Sequence, residues 1–456
     1  MLQRVIWHWA IPCRVGWLQV NRNGLDNEHG GASVVRIAVV GSGISGLTAA
    51  HYLDPRHEVT VFEAGSWVGG HTHSVDVEFE GEHATIDTGF IVFNDWTYPN
   101  FIALLERLGV AWQDSDMSFS LFCEETGWEY NGGSLSGLFV RKRNLVRPAF
   151  WRMLADIVRF NRTATRVLAR GDEPTVGQFL REEGYSREFA EKYLLPMGAA
   201  IWSCPTGTFA EFPMRFIAEF YSNHGLLSVF HRPTWRVIAG GSRSYVERLV
   251  SRLRGRVHLN APVESIRRIA GGVELRVGGE TRPFDEVIVA CHADQALRLL
   301  AEPRPVEREL LAKFPYQAND VVLHTDESVL PPRRGAWAAW NYRIPRGQKD
   351  AATLTYNMNI LQGLNKRHTY CVTLNSTAQV DAGRILGRYE YHHPVFTIER
   401  GAAQRRHAEL VALDGLSYCG AYWGNGFHED GVNSALAVCR QLDPECLTCT
   451  AASTRA

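Results

Sequence analysis

Residues 35–50 of the chain read Val35-Arg36-Ile37-Ala38-Val39-Val40-Gly41-Ser42-Gly43-Ile44-Ser45-Gly46-Leu47-Thr48-Ala49-Ala50. The apolar run before the glycines predicts a buried parallel strand, and the residues after them predict a helix. In such a turn the first glycine permits the tight bend, the second lets a pyrophosphate approach the backbone, and the third lets helix and strand pack closely. The helix start would face the phosphate charge. The stretch therefore predicts a dinucleotide site formed by Gly41, Gly43, Ile44, Ser45 and Gly46.

A second strand supports the same prediction. It comprises residues 58–62, and Glu63 follows it, twenty residues after Gly43. An acid at this position accepts hydrogen bonds from the hydroxyls of a ribose. We therefore expect Glu63, with its neighbour Ala64, to contact the nucleotide. A lone glycine motif is weak support for such a site, whereas strand, turn, helix, strand and acid in register are strong support.

A further glycine pair, Gly69-Gly70, comes six residues after Glu63. A nicotinamide enzyme does not need this pair. Here the sequence resembles the FAD-dependent amine oxidase and phytoene desaturase superfamily, in which the pair lets the chain pass close to pyrophosphate and flavin. The resemblance implies FAD as the cofactor, with contacts from Gly69, Gly70, His71 and Thr72.

Other motifs of the superfamily follow in order along residues 34–440. The resemblance implies that they bring more residues to the cofactor. These residues are Asp87, Thr88, Gly89, Val263, Ala290, Gly420, Gly426, Phe427, Glu429, Gly431 and Val432. One departure lies in the closing segment, where Tyr422 and Trp423 stand in place of the acid that many relatives carry after the glycine.

The motifs at residues 70–74, 87–94 and 420–431 also resemble a narrower bacterial subgroup of FAD/NAD-binding proteins. Its members are similar to the flavoprotein half that is fused to plant cyclopropane fatty-acid synthases, and some relatives desaturate methyl-branched fatty-acyl chains of phospholipids. This resemblance implies a lipid acyl substrate and a cyclopropane-synthase-like methyltransferase as partner.

Composition and charge narrow the class of protein. The chain has 456 residues, of which 45% are apolar and 21% charged, and its net charge of −1 gives no reason to expect a nucleic-acid partner. Nine scattered cysteines favour reduced thiols in a cytoplasmic setting over a disulfide framework. Cys446 and Cys449 have metal-ligand spacing but no second pair, so we predict no metal site. The chain has no apolar run of ~18 residues, so we predict no transmembrane helix.

The flavin motifs fall into three separated blocks, so the fold predicted is α/β: a Rossmann-like FAD-binding domain of the two-dinucleotide-domain type with an inserted α+β substrate domain. The predicted FAD-binding blocks are residues 34–105, 233–300 and 405–442. The predicted substrate domain comprises residues 106–232, mostly helical, and 301–404, of mixed helix and strand. Residues 1–33 are expected to form a poorly ordered N-terminal extension, and residues 443–456 a C-terminal tail.

Residues 141–170 are strongly basic, with nine positive side chains and a single acid, Asp156. Apolar residues recur among them at helical spacing. One interpretation is an amphipathic helix on an anionic membrane surface, which would place the protein at the inner membrane face. The other is a surface helix whose apolar stripe packs on the substrate domain of a cytoplasmic protein.

The resemblance implies hydride transfer from substrate carbon to flavin. Desaturation also needs a base for the second hydrogen. The candidates are His71, His73, His428 and Glu429, each of which could instead hydrogen-bond the cofactor or the backbone. Plentiful aromatic residues in the inserts favour a long hydrophobic substrate. Two alternatives remain open: an amine or polyamine oxidase, and a non-catalytic flavoprotein that holds or regulates the methyltransferase.

Overall fold

The structure is a computed structural model that describes residues 34–169, 171, 173–228, 232–347 and 353–448. The predicted N-terminal extension, the end of the predicted tail and Cys449 lie outside the described residues. Within them the strands are β1 Arg36–Val40, β2 Glu58–Phe62, β3 Ser74–Phe79, β4 Glu82–Asp87, β5 Val92–Asn94, β6 Trp112–Asp114, β7 Phe119–Cys123, β8 Trp128–Asn131, β9 Trp235–Ile238, β10 Arg256–His258, β11 Val263–Ile269, β12 Gly272–Val277, β13 Glu280–Phe284, β14 Glu286–Val289, β15 Tyr316–His324, β16 Trp340–Ile344, β17 Thr353–Asn357, β18 Cys371–Leu374, β19 Ile385–Pro394 and β20 Leu416–Tyr418.

The helices of the same residues alternate with these strands and are concentrated between β8 and β9. They are α1 Ile44–Leu53, α2 Pro99–Leu108, α3 Leu135–Leu138, α4 Pro148–Thr163, α5 Val176–Glu182, α6 Arg187–Phe189, α7 Leu195–Ile201, α8 Thr206–Ala210, α9 Met214–Asn223, α10 Arg243–Arg252, α11 Ala293–Leu299, α12 Pro305–Leu311, α13 Met358–Leu361, α14 Ile398–Gln404 and α15 His428–Leu442.

A parallel sheet of five strands, in the order β10-β2-β1-β14-β20, carries the nucleotide-binding motifs. Residues 37–40 of the central strand β1 are buried, as expected of a parallel strand that is covered on both faces. Helices α1 and α15 pack together against this sheet through small side chains such as Ala49 and Ala435. The predicted Rossmann-like α/β domain is confirmed.

A second sheet of seven strands, in the order β19-β15-β18-β17-β16-β7-β8, forms the substrate domain. It takes β7 and β8 from the first predicted insert and β15 to β19 from the second. The two inserts join where β16 pairs in parallel with β7, with Trp340 opposite Phe119. Helices α4 to α9 supply the helical part, so the domain has the α+β composition that the sequence predicts.

Two boundaries differ from the predicted ones. Strand β6 pairs with β9, which also pairs with β5, so the nucleotide-binding part continues beyond residue 105 to about residue 115. Helix α12 lies in the predicted substrate segment, yet its Leu310 and Leu311 pack in the same core as Val287 and Leu416 of the parallel sheet. The second insert therefore begins near β15, because the apolar face of α12 is buried against the nucleotide domain.

Candidate active site

A cavity of about 710 Å³ extends from the glycine turn after β1 to the seven-stranded sheet. Its volume lies within the range of small-molecule and cofactor sites. Most residues that the sequence assigns to the cofactor line its nucleotide end. They are Gly41, Gly43, Ile44, Ser45, Glu63, Ala64, Gly69, Gly70, His71, Thr88, Gly89, Val263, Ala290, Gly420, Gly426 and Phe427.

The glycines of the turn form a cradle that only a backbone without side chains can form. Gly41 has φ +105°, and a Cβ there would lie 2.9 Å from the carbonyl oxygen of Ala290. A Cβ on Gly43 would meet no atom within 4 Å, so this position faces open space at the start of α1. Gly70 crosses above it, with its Cβ position 3.2 Å from the Gly43 Cα. A pyrophosphate fits here, against the amide groups of a helix N-terminus.

Glu63 stands at the carboxyl end of β2, in the wall of the cavity. One carboxylate oxygen accepts hydrogen bonds from the backbone N and the Oγ of Ser42, at 2.9 and 2.6 Å, and the other accepts from the backbone N of Gly65 at 2.8 Å. These bonds fix the carboxylate in place. Because a carboxylate has about four acceptor positions, it can still accept from ribose hydroxyls.

The closing segment brings the N-terminus of α15 to the same cavity. The carboxylate of Asp430 accepts from the backbone N of Phe427 at 2.9 Å, which caps the helix. Burial raises the pKa of Asp430 to about 6. Arg400 of α14, itself buried, donates to the carbonyl oxygens of Tyr422 and Gly424 at 3.0 and 2.8 Å. Sequence reasoning missed Arg400, because it lies in a segment with no motif.

Six residues assigned to the cofactor lie behind the cavity wall instead. They are Gly46, Thr72, Asp87, Glu429, Gly431 and Val432. Gly46 and Gly431 allow close packing, since a Cβ would lie 2.0 Å from the Gly41 carbonyl oxygen and 2.7 Å from the Ile44 Cγ2 respectively. Val432 is buried in an apolar cluster with Leu436. These residues position the cradle without facing the cofactor.

Asp87 and Thr72 are engaged with other side chains. The buried Asp87 carboxylate accepts from the backbone N of Ser242 at 2.9 Å and from the Oγ of Ser74 at 2.5 Å. Burial raises its pKa to about 6. The Thr72 hydroxyl lies 3.0 Å from the Nε2 of His428, and the Tyr245 hydroxyl lies at the same distance from that nitrogen. Thr72 therefore orients His428.

The prediction of Glu429 as a base is wrong. Its carboxylate accepts from the backbone N of Phe101 at 2.8 Å and from the backbone N of Asn100 at 3.1 Å. Both amides belong to the first turn of α2, where a helix has N–H groups without partners. Glu429 is therefore a helix cap supplied by a neighbouring helix, and its oxygens do not face the cavity.

Two of the three candidate histidines are also held by protein groups. The Nδ1 of His73 lies 2.9 Å from the Tyr391 hydroxyl and 3.1 Å from that of Thr88, and its ring stacks on Trp67. His73 itself does not line the cavity. His428 lines the cavity, but its Nε2 contacts Thr72 and Tyr245 and its ring stacks on Phe90. Burial lowers the pKa of His428 well below its usual range, so the ring is neutral.

His71, whose ring contacts the backbone of His392, differs from both at its Nε2. It lines the cavity, and its Nε2 is buried with no hydrogen-bond partner among the described residues. Burial lowers its pKa to about 4. The rings of Tyr391, His393 and His292 lie 5.3, 5.4 and 5.8 Å from it, centre to centre. Sequence reasoning missed His292 and His393, because they come from distant segments and belong to no motif.

The far end of the cavity is lined by side chains of the substrate domain. They are mainly apolar or aromatic: Ile201, Trp202, Val321, Trp340, Tyr356, Leu361 and Leu374. Glu63 and Glu390 supply the carboxylates among the lining residues. Glu390 is exposed and lies 3.0 Å from the Nε2 of His392. The substrate end of the cavity is therefore apolar and carries its acid at the rim.

The model of the flavin-containing amine oxidoreductase family matches residues 44–357, more than half of the chain. The chain belongs to this family. The predicted superfamily, a flavoprotein with FAD as cofactor, is thereby confirmed, and the glycine cradle with Glu63 fits that cofactor. The narrower resemblance to proteins associated with cyclopropane synthases stays a prediction.

Curated relatives of this flavin-containing amine oxidoreductase match over short segments. The chain is 40% identical over 76 residues to the zeta-carotene desaturase of Synechocystis sp. (16% of this chain and 15% of that protein). It is 35% identical over 83 residues to the chloroplastic/chromoplastic zeta-carotene desaturase of Solanum lycopersicum (18% and 13%). The matches thus span less than a sixth of these relatives.

Solved structures share the fold over nearly the whole chain. A CLA-producing fatty acid isomerase from P. acnes is 16% identical, with 90% of this chain and 99% of that chain covered and a TM-score of 0.63. A cyclohexylamine oxidase from Brevibacterium oxydans is 16% identical, with 90% and 100% covered and a TM-score of 0.62. At this identity the likeness establishes the fold alone.

The described residues also bear on the predictions for membrane spans, metal ligands and disulfides. No helix in these ranges is long and apolar enough to cross a bilayer. No group of three or more His, Cys, Asp or Glu side chains within them is arranged to hold a metal ion. The seven cysteines that the structure describes are all unpaired.

Proposed function

We propose that the protein is an FAD-dependent oxidoreductase that desaturates a fatty-acyl chain, with the methyl-branched chain of a phospholipid as the expected substrate. The observation that carries the proposal is the apolar substrate end of the cavity, whose walls are aliphatic and aromatic. The curated relatives that match short segments of the chain are zeta-carotene desaturases, which agrees with this reaction class.

The distribution of charge argues against a cationic substrate. An amine that enters protonated, or a polyamine with a second ammonium group, needs a carboxylate near its charge, since burying an unpaired cation is costly. The carboxylate of Glu63 is at the nucleotide end and that of Glu390 is exposed at the rim. Arg298 also lines the cavity, and its guanidinium is paired with Asp294 at 2.8 Å. An uncharged acyl chain avoids this cost and gains from apolar burial.

The chain's own residues would supply positioning and proton transfer. Bound FAD supplies the acceptor for a hydride from one substrate carbon. The apolar walls hold the chain and exclude water, and the Nε2 of His71 accepts the proton from the adjacent carbon as the double bond forms. Burial lowers the pKa of His71 to about 4, so the ring is neutral at physiological pH and its Nε2 can carry a free lone pair.

The test is anaerobic mixing of the FAD-loaded protein with matched substrates while the flavin absorbance is followed. A phospholipid with methyl-branched or monounsaturated chains is compared with an alkylamine of the same chain length, together with short amines and polyamines. Bleaching by the lipid alone, with a product that carries one more double bond, is the expected result. Bleaching by amines alone would overturn the proposal in favour of an amine oxidase.

The predicted methyltransferase partner needs a separate experiment. We propose that a cyclopropane-synthase-like methyltransferase acts on the same lipids and associates with this protein. Co-purification from cells that produce both proteins tests the association. If the pair forms and product formation is unchanged by Gly43→Ala, the protein would be a holding partner without catalytic function. Loss of product with the complex intact would establish the catalytic role.

A further inference from the structure

A stretch between β8 and the end of α4 exposes several large apolar side chains. They are Leu135 at 76%, Leu145 at 49%, Val146 at 80%, Trp151 at 50% and Val158 at 45% of their full accessible area. These five make up half of the large apolar residues that are exposed within the described ranges. Soluble monomers rarely expose apolar groups together in this way, unless the surface binds something.

Leu145, Val146 and Trp151, hereafter the apolar tip, form one unit. The indole Nε1 of Trp151 donates to the carbonyl oxygen of Leu145 at 2.9 Å, so the ring lies against the turn before α4. The turn is fixed by Asn144, which is fully buried and donates from its Nδ2 to the carbonyl oxygen of Glu129 at 2.9 Å. The apolar tip is therefore held outward by an anchored backbone.

The stripe that the sequence predicts on α4 does not provide this surface. Phe150, Met153 and Phe160 of α4 are buried in the cores of the substrate domain, which is the second of the two interpretations. The side chains left exposed are those of the preceding turn and of two outer positions on the helix. The surface is thus centred on the turn rather than on the helix.

Positive charge surrounds the apolar tip. Lys142 and Arg143 are exposed beside it. Within the described part of residues 141–170, the ion pairs are those of Arg152 with Glu188 at 3.9 Å and of Arg159 with Asp156 at 3.0 Å. Burial together with the neighbouring charges of Arg143 and Arg141 lowers the pKa of Arg147. Among the described residues, Lys142 and Arg143 beside the tip form no ion pair, so the tip lies in a field of positive charge.

We propose that the apolar tip and its flanking cations dock on the surface of an anionic phospholipid bilayer. The apolar side chains would enter the boundary between headgroups and acyl chains, and the cations would lie at the level of the phosphates. A second copy of the chain is disfavoured as the occupant, because its own basic surface would face this one. The inference concerns membrane attachment and does not depend on which substrate is oxidised.

The test is co-sedimentation of the full FAD-loaded chain with vesicles of phosphatidylcholine alone or with added phosphatidylglycerol. We expect preferential binding to the anionic vesicles, weakened by salt. The variant L145S/V146S should bind at least tenfold less, whereas L259S/I269S, which changes exposed apolar residues elsewhere, should bind like the parent chain. The variant K142Q/R143Q should lose roughly tenfold or more of its affinity for anionic vesicles only, since each cation near the surface contributes about 1 kcal/mol. Its control is R256Q/R267Q, which should bind like the parent chain.

Three results would overturn the proposal. Equal binding to neutral and anionic vesicles excludes the charge component, and unchanged binding of L145S/V146S excludes the apolar tip. A dimer that L145S/V146S converts to a monomer, with no vesicle binding by either form, assigns the surface to a contact between copies. Bound flavin and thermal unfolding midpoint verify that each variant is folded. Flavin reduction by detergent-dispersed lipid should be unchanged in these variants. Failure of membrane docking can therefore be distinguished from failure of the proposed oxidation.

Discussion

The two ends of the cavity are constructed in opposite ways. The nucleotide end is formed largely by residues 41–70, and its function resides in the backbone, in particular the left-handed Gly41 and the unobstructed Gly43. The substrate end is formed by side chains from Ile201 to Leu374, on two helices and several strands. The first end binds a fixed cofactor through backbone groups, whereas the second is shaped by side chains that can be replaced without altering that backbone.

Because the two ends of the cavity are built differently, substitutions at each end should have different effects. A change at the nucleotide end should reduce cofactor binding, and a change at the substrate end should alter which molecule is oxidised while FAD remains bound. His71 is the exception, because it follows Gly70 in sequence but lies among rings of the substrate domain. It therefore offers the strongest test of how the two ends work together.

The substitution His71→Asn should have the largest effect. We expect kcat to fall by roughly 100- to 1000-fold with FAD still bound, because a positioned base contributes ~10²–10⁴ to the rate. Stopped-flow reduction by the lipid that bleaches the parent flavin measures this. The control is His73→Asn, two residues away but outside the cavity, which should change kcat only slightly. Equal losses in the two variants would remove His71 from the role of base.

The pH profile of the parent enzyme gives an independent measure of the same role. The base must be unprotonated, and burial lowers the pKa of His71 from 6.5 to about 4. Activity that depends on it should therefore persist as the pH falls from 7 to 5 and be lost only near pH 4. An acid limb of kcat/KM near pH 6.5 would indicate an exposed group instead.

The substitution Gly43→Ala should act on the cofactor alone. The added methyl group meets no protein atom within 4 Å, so the apoprotein should keep its stability, but the methyl would occupy the space where the pyrophosphate approaches the backbone. We expect FAD affinity to fall about 10- to 100-fold, measured by flavin fluorescence on titration. Gly207→Ala is the matched control, since its Cβ is equally unobstructed but lies away from the cavity. Unchanged affinity in Gly43→Ala would mean that the cofactor does not cross this turn.

These contrasts also explain what could be predicted from the sequence. The parallel strands, the glycine turn and Glu63 follow from local patterns, because backbone geometry forces particular residue types at fixed spacing. Arg400, His292 and His393 could not be predicted in the same way, since their roles depend on tertiary contacts between distant segments. Glu429 was misassigned for the same reason: its position in the motif is local, but its partners in α2 are more than 300 residues away.

A smaller effect is expected at the substrate end. Ile201 lines the cavity at the end of α7, and Ile201→Trp would shorten the apolar space without adding charge. We expect KM for long-chain lipids to rise about five- to tenfold, with little change for short chains and with FAD binding unaltered. One lost or added group in an apolar pocket typically changes selectivity by this order. An equal rise for all chain lengths would show that the acyl chain does not reach this wall.

The smallest effect on catalysis should come from Glu429→Ala, although Glu429 adjoins the closing flavin segment. Its carboxylate satisfies the backbone N–H groups of Asn100 and Phe101, and leaving these without a partner costs roughly 1–3 kcal/mol of the free energy of unfolding. Denaturant unfolding should show this loss, whereas Glu106→Ala on the exposed face of α2 should stay within about 0.5 kcal/mol of the parent. Flavin reduction by Glu429→Ala should remain within about twofold, because a helix cap supports the nucleotide end without taking part in proton transfer. A loss of activity comparable with that of His71→Asn, at unchanged stability, would return Glu429 to the catalytic site and contradict its assignment as a cap.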